Sequence, residues 1–97
     1  MALTSKERAT LRSQANSMET ILHIGKGGIV DTLVKQVEDA LIAREMIKIK
    51  VLETAPVTPK EAAHQLAEIV GCDVVQVIGS KAVLYKEDKK EPKFRKK

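Results

Sequence analysis

At 97 residues, 43% apolar and 31% charged, the chain can build one hydrophobic core and has no room for a second domain. That apolar content excludes wholesale disorder, and no apolar run approaches the roughly 20 residues that cross a bilayer. The net charge of +4 is unevenly placed: residues 1–85 carry ten basic and ten acidic side chains, whereas 86–97 carry seven against three.

Periodicity and punctuation set the elements in chain order. Thr4 or Ser5 caps a first helix running to about Ala15, with Leu11 and Ala15 four apart on one face. Asn16-Ser17 breaks it, and a first strand is expected at about 20–24. The glycine cluster Gly25-Lys26-Gly27-Gly28 then turns the chain into a second helix that starts near Val30 and ends near Arg44. Val30, Leu33, Val34, Val37 and Leu41 form its apolar stripe. Strand two, Met46–Leu52, alternates: Ile47, Ile49 and Val51 face one side while Lys48 and Lys50 face the other.

Thr58-Pro59-Lys60-Glu61 opens a third helix with a cap residue, a proline at the first helical position and a glutamate three after the cap. Its expected buried stripe is Ala62, Leu66, Ile69 and Val70, and Gly71 stops it. Strand three (Val74–Ile78), a turn at Gly79-Ser80-Lys81 and strand four (Ala82–Tyr85) follow as a hairpin. The order α-β-α-β-α-β-β makes an α/β domain with a four-stranded mixed sheet. Strands one and two are parallel through the second helix, and strands three and four antiparallel. The sheet is expected to be one-sided, with helices on the Ile47/Ile49/Val51 face. Lys48 and Lys50 then lie on an open face whose parity also admits His23 and Gln76. Tyr85 is expected half-buried with its hydroxyl in water.

Residues 1–86 are therefore read as the domain and 87–97 as a flexible basic tail. The glycine cluster is the feature richest in chemistry. Glycines there permit a sharp turn and leave N–H groups at a helix N-terminus unobstructed, an arrangement that attracts phosphate. Lys26 adds a mobile positive charge at the tip.

The blocks Ile24–Ile29, Ala40-Leu41, Glu45–Val51, Val75–Gly79 and Val83–Tyr85 together resemble the YhbY-like CRM (chloroplast RNA splicing and ribosome maturation) domain from about Leu3 to Lys86. The resemblance implies a fold similar to the C-terminal domain of a bacterial translation initiation factor. It also implies RNA binding and, for stand-alone bacterial members, association with ribosomal RNA in precursors of the large (50S) subunit during ribosome biogenesis. The family's GxxG loop falls on Gly25, Lys26, Gly27 and Gly28. Lys48, Lys50, Arg8 and Arg12 complete the expected RNA-binding set, while Glu7 and Glu19 set negative charge near the same approach. Scarce aromatics (Tyr85 and Phe94) favour readout of backbone and shape over base stacking.

No enzyme is expected. The glycine loop is too short for a Walker motif and lacks its hydroxyl residue. His23, His64 and Cys72 have no metal-ligand spacing, and the carboxylates do not converge as an acid–base pair. His23 adjoins the loop and is a further RNA-contact candidate, whereas His64 and Cys72 read as structural. No cofactor, metal, membrane or small-molecule substrate is implied, and a monomer is expected. The absence of a signal-like N-terminus and of a cysteine pair points to the cytoplasm. A protein-interaction adaptor on ribosomal particles and a non-specific DNA-binding module are the alternative readings.

Overall fold

Seven elements follow one another as α1 (Ser5–Ala15), β1 (Thr20–Ile24), α2 (Asp31–Arg44), β2 (Met46–Val51), α3 (Pro59–Val70), β3 (Asp73–Ile78) and β4 (Lys81–Tyr85). This is a computed structural model, and it describes residues 4–86; the basic tail expected at 87–97, with Phe94, lies outside the described residues. The sheet order is β1-β2-β4-β3. β1 runs parallel to β2, and β4 is antiparallel to both β2 and β3. None of the helices among the described residues is long and apolar enough to cross a membrane.

Local chemistry accounts for the helix ends. Thr4 and Thr58 each accept from the N–H three residues on, and Glu7 and Glu61 reach back to the cap N–H, so α1 and α3 both begin with a complete capping box. Glu7 thus acts as a cap within α1. Gly71 ends α3 in the left-handed region, at φ 76°, where a Cβ would be strained. Glu45 ends α2 at φ 69° despite being no glycine, and it is buried. Its N–H donates to the Leu41 carbonyl and its carbonyl accepts from the Lys86 N–H. These bonds hold a conformation that costs on the order of 1–3 kcal/mol. They turn α2 directly into β2, which fixes the register of Lys48 and Lys50.

The principal core lies between one sheet face and two helices. Leu33, Val37 and Leu41 of α2, with Ala62, Ala63, Leu66 and Val70 of α3, pack on Ile24, Ile47, Ile49, Val51, Ala82 and Leu84. Two residues of the expected stripes are not part of it. Ile69 is exposed because the α3 stripe is centred on Ala62, Ala63, Leu66 and Val70, leaving Ile69 at its margin. Val30 is exposed because it is the N-cap of α2 rather than part of its first turn.

The sheet is also not one-sided. On the opposite face α1 packs Leu11 and Ala15 against Met46, Val75, Val83 and Tyr85. Tyr85, expected half-buried, is fully buried there. Burying a side chain of the Leu class is worth roughly 1.5–3 kcal/mol, so α1 is an integral layer. It covers one end of this face and leaves the other open.

Candidate nucleic-acid interface

The open end of the α1 face is built of rows that run across the strands. In one row His23 of β1 lies beside Lys50 of β2, Lys50 opposite Lys81 of β4, and Lys81 opposite Ile78 of β3. In the next, Thr20 is beside Lys48, Lys48 opposite Val83, and Val83 opposite Gln76. The third, Met46, Tyr85 and Asp73, leads under α1. Register therefore places Lys48, Lys50, His23 and Gln76 on one face, as parity allowed, and adds Lys81.

Lys50 and Lys81 are direct cross-strand partners of like charge, an arrangement that destabilises a sheet. Among the described residues the one ion pair is Lys35–Asp39, at 3.2 Å on the surface of α2. Within that set, Lys48, Lys50 and Lys81 have no carboxylate to relieve them. The positive field is thus free to act on an external anion.

Lys81 is hidden in the sequence by its place next to the turn residues. The turn is the two-residue Gly79-Ser80, with Gly79 at φ 57°. A Gly-Ser pair between two apolar runs is a recognisable hairpin signal, and counting from it pairs Ile78 with Lys81.

The glycine loop adjoins the same end of the sheet, at the C-terminus of β1. Its glycines have different roles. The Gly28 N–H donates to the Gly25 carbonyl at 2.9 Å, closing a tight turn. Gly28 is buried at φ 69°, and a Cβ there would lie 2.9 Å from Pro56 Cγ. Gly28 is thus packed against the β2–α3 loop, and its N–H is not available to a phosphate, contrary to expectation. Gly25 is backed by Leu52, whose N–H donates to the Ile24 carbonyl. Lys26 and Gly27 are exposed at the tip, with nothing within 4 Å of a Cβ on Gly27.

Beyond the loop, α2 begins at Val30 with no side-chain cap, unlike α1 and α3. Its first N–H groups remain open to an acceptor. Asp31 in that first turn suits the helix dipole but opposes an incoming phosphate.

The two arginines belong to α1. Arg12 is exposed on the last turn of α1. Arg8 is half-buried, with its Nε enclosed and unpartnered, and lines a cleft with His64, Cys72 and Asp73 beside the β3 edge. Lys48, Lys50 and Lys81 thus share the open sheet face, with Lys26 on the loop at its end, and the Arg8 cleft meets that face at Gln76. No group of three or more His, Cys, Asp and Glu among the described residues could hold a metal ion.

Comparison with known proteins gives a consistent result. The CRS1 / YhbY (CRM) domain profile matches residues 3–86. A relative from Bacillus subtilis, named probable RNA-binding protein YqeI, is 41% identical over 87 residues, covering 90% of this chain and 91% of its own. A Pseudomonas aeruginosa protein with the same probable RNA-binding description is 26% identical over 93 residues, covering 96% and 89%. The solution structure of the hypothetical protein SAV1595 of Staphylococcus aureus, described as an RNA-binding candidate, superposes with a TM-score of 0.77 at 44% identity. That match covers 91% of this chain and 92% of the other.

Proposed function

The chain belongs to the CRS1 / YhbY (CRM) domain family, and on that premise we propose that it binds ribosomal RNA of large-subunit precursors during ribosome assembly in the cytoplasm. RNA as the ligand is supported by what its relatives are named for, and the ribosomal setting by the family resemblance of the sequence blocks. The observation that carries the interface is the uncompensated Lys50–Lys81 pair, which adjoins Lys48 and the glycine loop. Lysines on the sheet supply attraction to the phosphate backbone. Lys26, the Gly27 N–H and the open N-terminus of α2 hold one phosphate at the loop. Arg12 and Arg8 add charge from α1 at longer range.

The test is a salt titration of binding to a fragment of large-subunit ribosomal RNA, followed by fluorescence anisotropy, for wild type and the double variant Lys50→Ala/Lys81→Ala. Removing one lysine–phosphate pairing lowers the log–log salt slope by roughly 0.7–0.9, so the double variant's slope should fall by about 1.5 while it melts no lower than wild type. An unchanged slope overturns the sheet-face interface. In gradient sedimentation of cell extract, wild type should co-migrate with a particle lighter than the mature large subunit. Recovery only at the top of the gradient removes the assembly assignment.

A further inference from the structure

Between the end of α1 and the row of lysines, the sheet face forms a recess of about 210 Å³, lined by Asn16, Lys48, Gln76, Ile78, Lys81 and Val83. At roughly 30 Å³ per water, it has room for about seven waters. That is the size class of a single planar ring system, not of a stacked nucleotide run. Its floor is apolar: Val83 is buried, and Ile78, the last residue of the edge strand β3, is 59% exposed beside it. Its rim is cationic, with Lys48 and Lys81 free of ion pairs among the described residues.

Two carboxamides line the recess, Asn16 from the C-cap of α1 and Gln76 from β3. Among the described residues neither side chain makes a hydrogen bond, so each presents a donor and an acceptor side by side. A local irregularity adds Val75 to the face that Gln76 occupies. The β3–β4 register shifts between Val74 and Gln76, so consecutive residues serve the same face. Val75 fills the core under α1, and Gln76 stands opposite Val83 in the recess. Bulges re-aim side chains in this manner next to binding sites.

We propose that this recess is a nucleobase subsite: it takes one unstacked base of the bound RNA, adenine preferred. The base lies on Ile78 and Val83 and is read by the carboxamides of Gln76 and Asn16. A carboxamide matches adenine in a paired way, donating to N7 and accepting from the N6 amino group. Lys48 and Lys81 hold the phosphates flanking the splayed nucleotide. This gives the domain a sequence-sensitive contact in addition to its backbone attraction, without an aromatic platform. Tyr85, the one aromatic among the described residues, is buried beneath α1.

The inference rests on the RNA reading above, and the experiment separates their failures. Binding of rA8, rC8, rG8 and rU8 is measured by anisotropy at about 0.15 M salt, where long-range attraction is screened. The large-subunit RNA fragment is measured alongside. Wild type should favour rA8 over rU8 by about tenfold, the lower part of the range for a paired base contact. Gln76→Ala should bring that ratio to about one without altering the salt slope. Asn16→Ala, exposed at a helix end and neutral for folding, should lower the ratio severalfold and keeps the test decisive if Gln76→Ala unfolds. Lys50→Ala should change the slope and leave the ratio alone. Equal affinity for all four octamers, with the RNA fragment still bound, overturns the subsite only. Failure to bind any RNA, fragment included, overturns both.

Discussion

Replacing Gly28 and Gly27 one at a time separates the loop's architecture from its contact surface. Gly28→Ala forces a side chain into a left-handed backbone at φ 69°, with its Cβ 2.9 Å from Pro56 Cγ. The backbone strain costs roughly 1–2 kcal/mol, and the overpacking adds about 1 kcal/mol, the low end of its range because the exposed Pro56 loop can yield. The total, about 2–3 kcal/mol, is a large share of the roughly 5–15 kcal/mol expected for a domain of this size. At roughly 4–8 °C per kcal/mol, melting followed by circular dichroism should drop by about 10–20 °C. Gly27→Ala meets nothing within 4 Å and does not sit at positive φ. Its melting should match wild type or rise by a few degrees, through a less flexible unfolded chain. Gly27→Glu should also melt normally yet bind RNA more weakly, because it sets a carboxylate where the phosphate is held. Gly28→Ala melting within about 3 °C of wild type, or Gly27→Ala melting equally low, would refute this division of roles.

The cap of α3 makes stability depend on acid. The Thr58 N–H and then its hydroxyl interaction hold the Glu61 carboxyl below its ordinary value. A lowered folded-state pKa stabilises the protein above the unfolded value, and the effect is lost as pH falls through the folded one. Thermal melts should show the gap between wild type and Glu61→Gln narrowing on acidification; a gap constant across that range would contradict the cap. Burial, and next the neighbouring Asp73, push the Cys72 thiol up to about 11. Against an ordinary thiol near 8.5, a disulfide reagent at about pH 8 should modify the folded protein on the order of 100-fold more slowly than the urea-unfolded chain. Similar rates would place Cys72 outside the core.

Element order was readable because this chain marks its own boundaries. Thr58-Pro59-Lys60-Glu61 states a helix start, Gly71 a helix stop, and the lysine alternation of Met46–Val51 a half-covered strand. What stayed hidden depends on contacts between segments distant in sequence. Gly28 reads as a free phosphate cradle until Pro56, 28 residues on, is seen against it. The weakly amphipathic α1 gives no sign of which sheet face it covers, so neither the burial of Tyr85 nor the recess beside Asn16 could be foreseen. Ile69 shows that the 3.6-residue period finds the stripe but not its margin. Alternation puts Gln76 on the open face, but it does not register the bulge that turns Val75 to that same face under α1.

The place of β4 has a consequence for how the chain is made. It is the last strand in sequence, yet it lies inside the sheet and pairs with both β2 and β3. When β2 has been synthesised, the strand that will cover one of its edges is still about 30 residues away. At roughly 5–20 residues per second, that edge waits for seconds, against the microseconds in which a short chain collapses. β1 and β2 can pair early, but β3 cannot join the sheet until β4 is made. A chain cut short before Lys81 keeps three helices, the β1–β2 pair and a β3 with no strand to join it to that pair, and such a product offers its open edges to other chains.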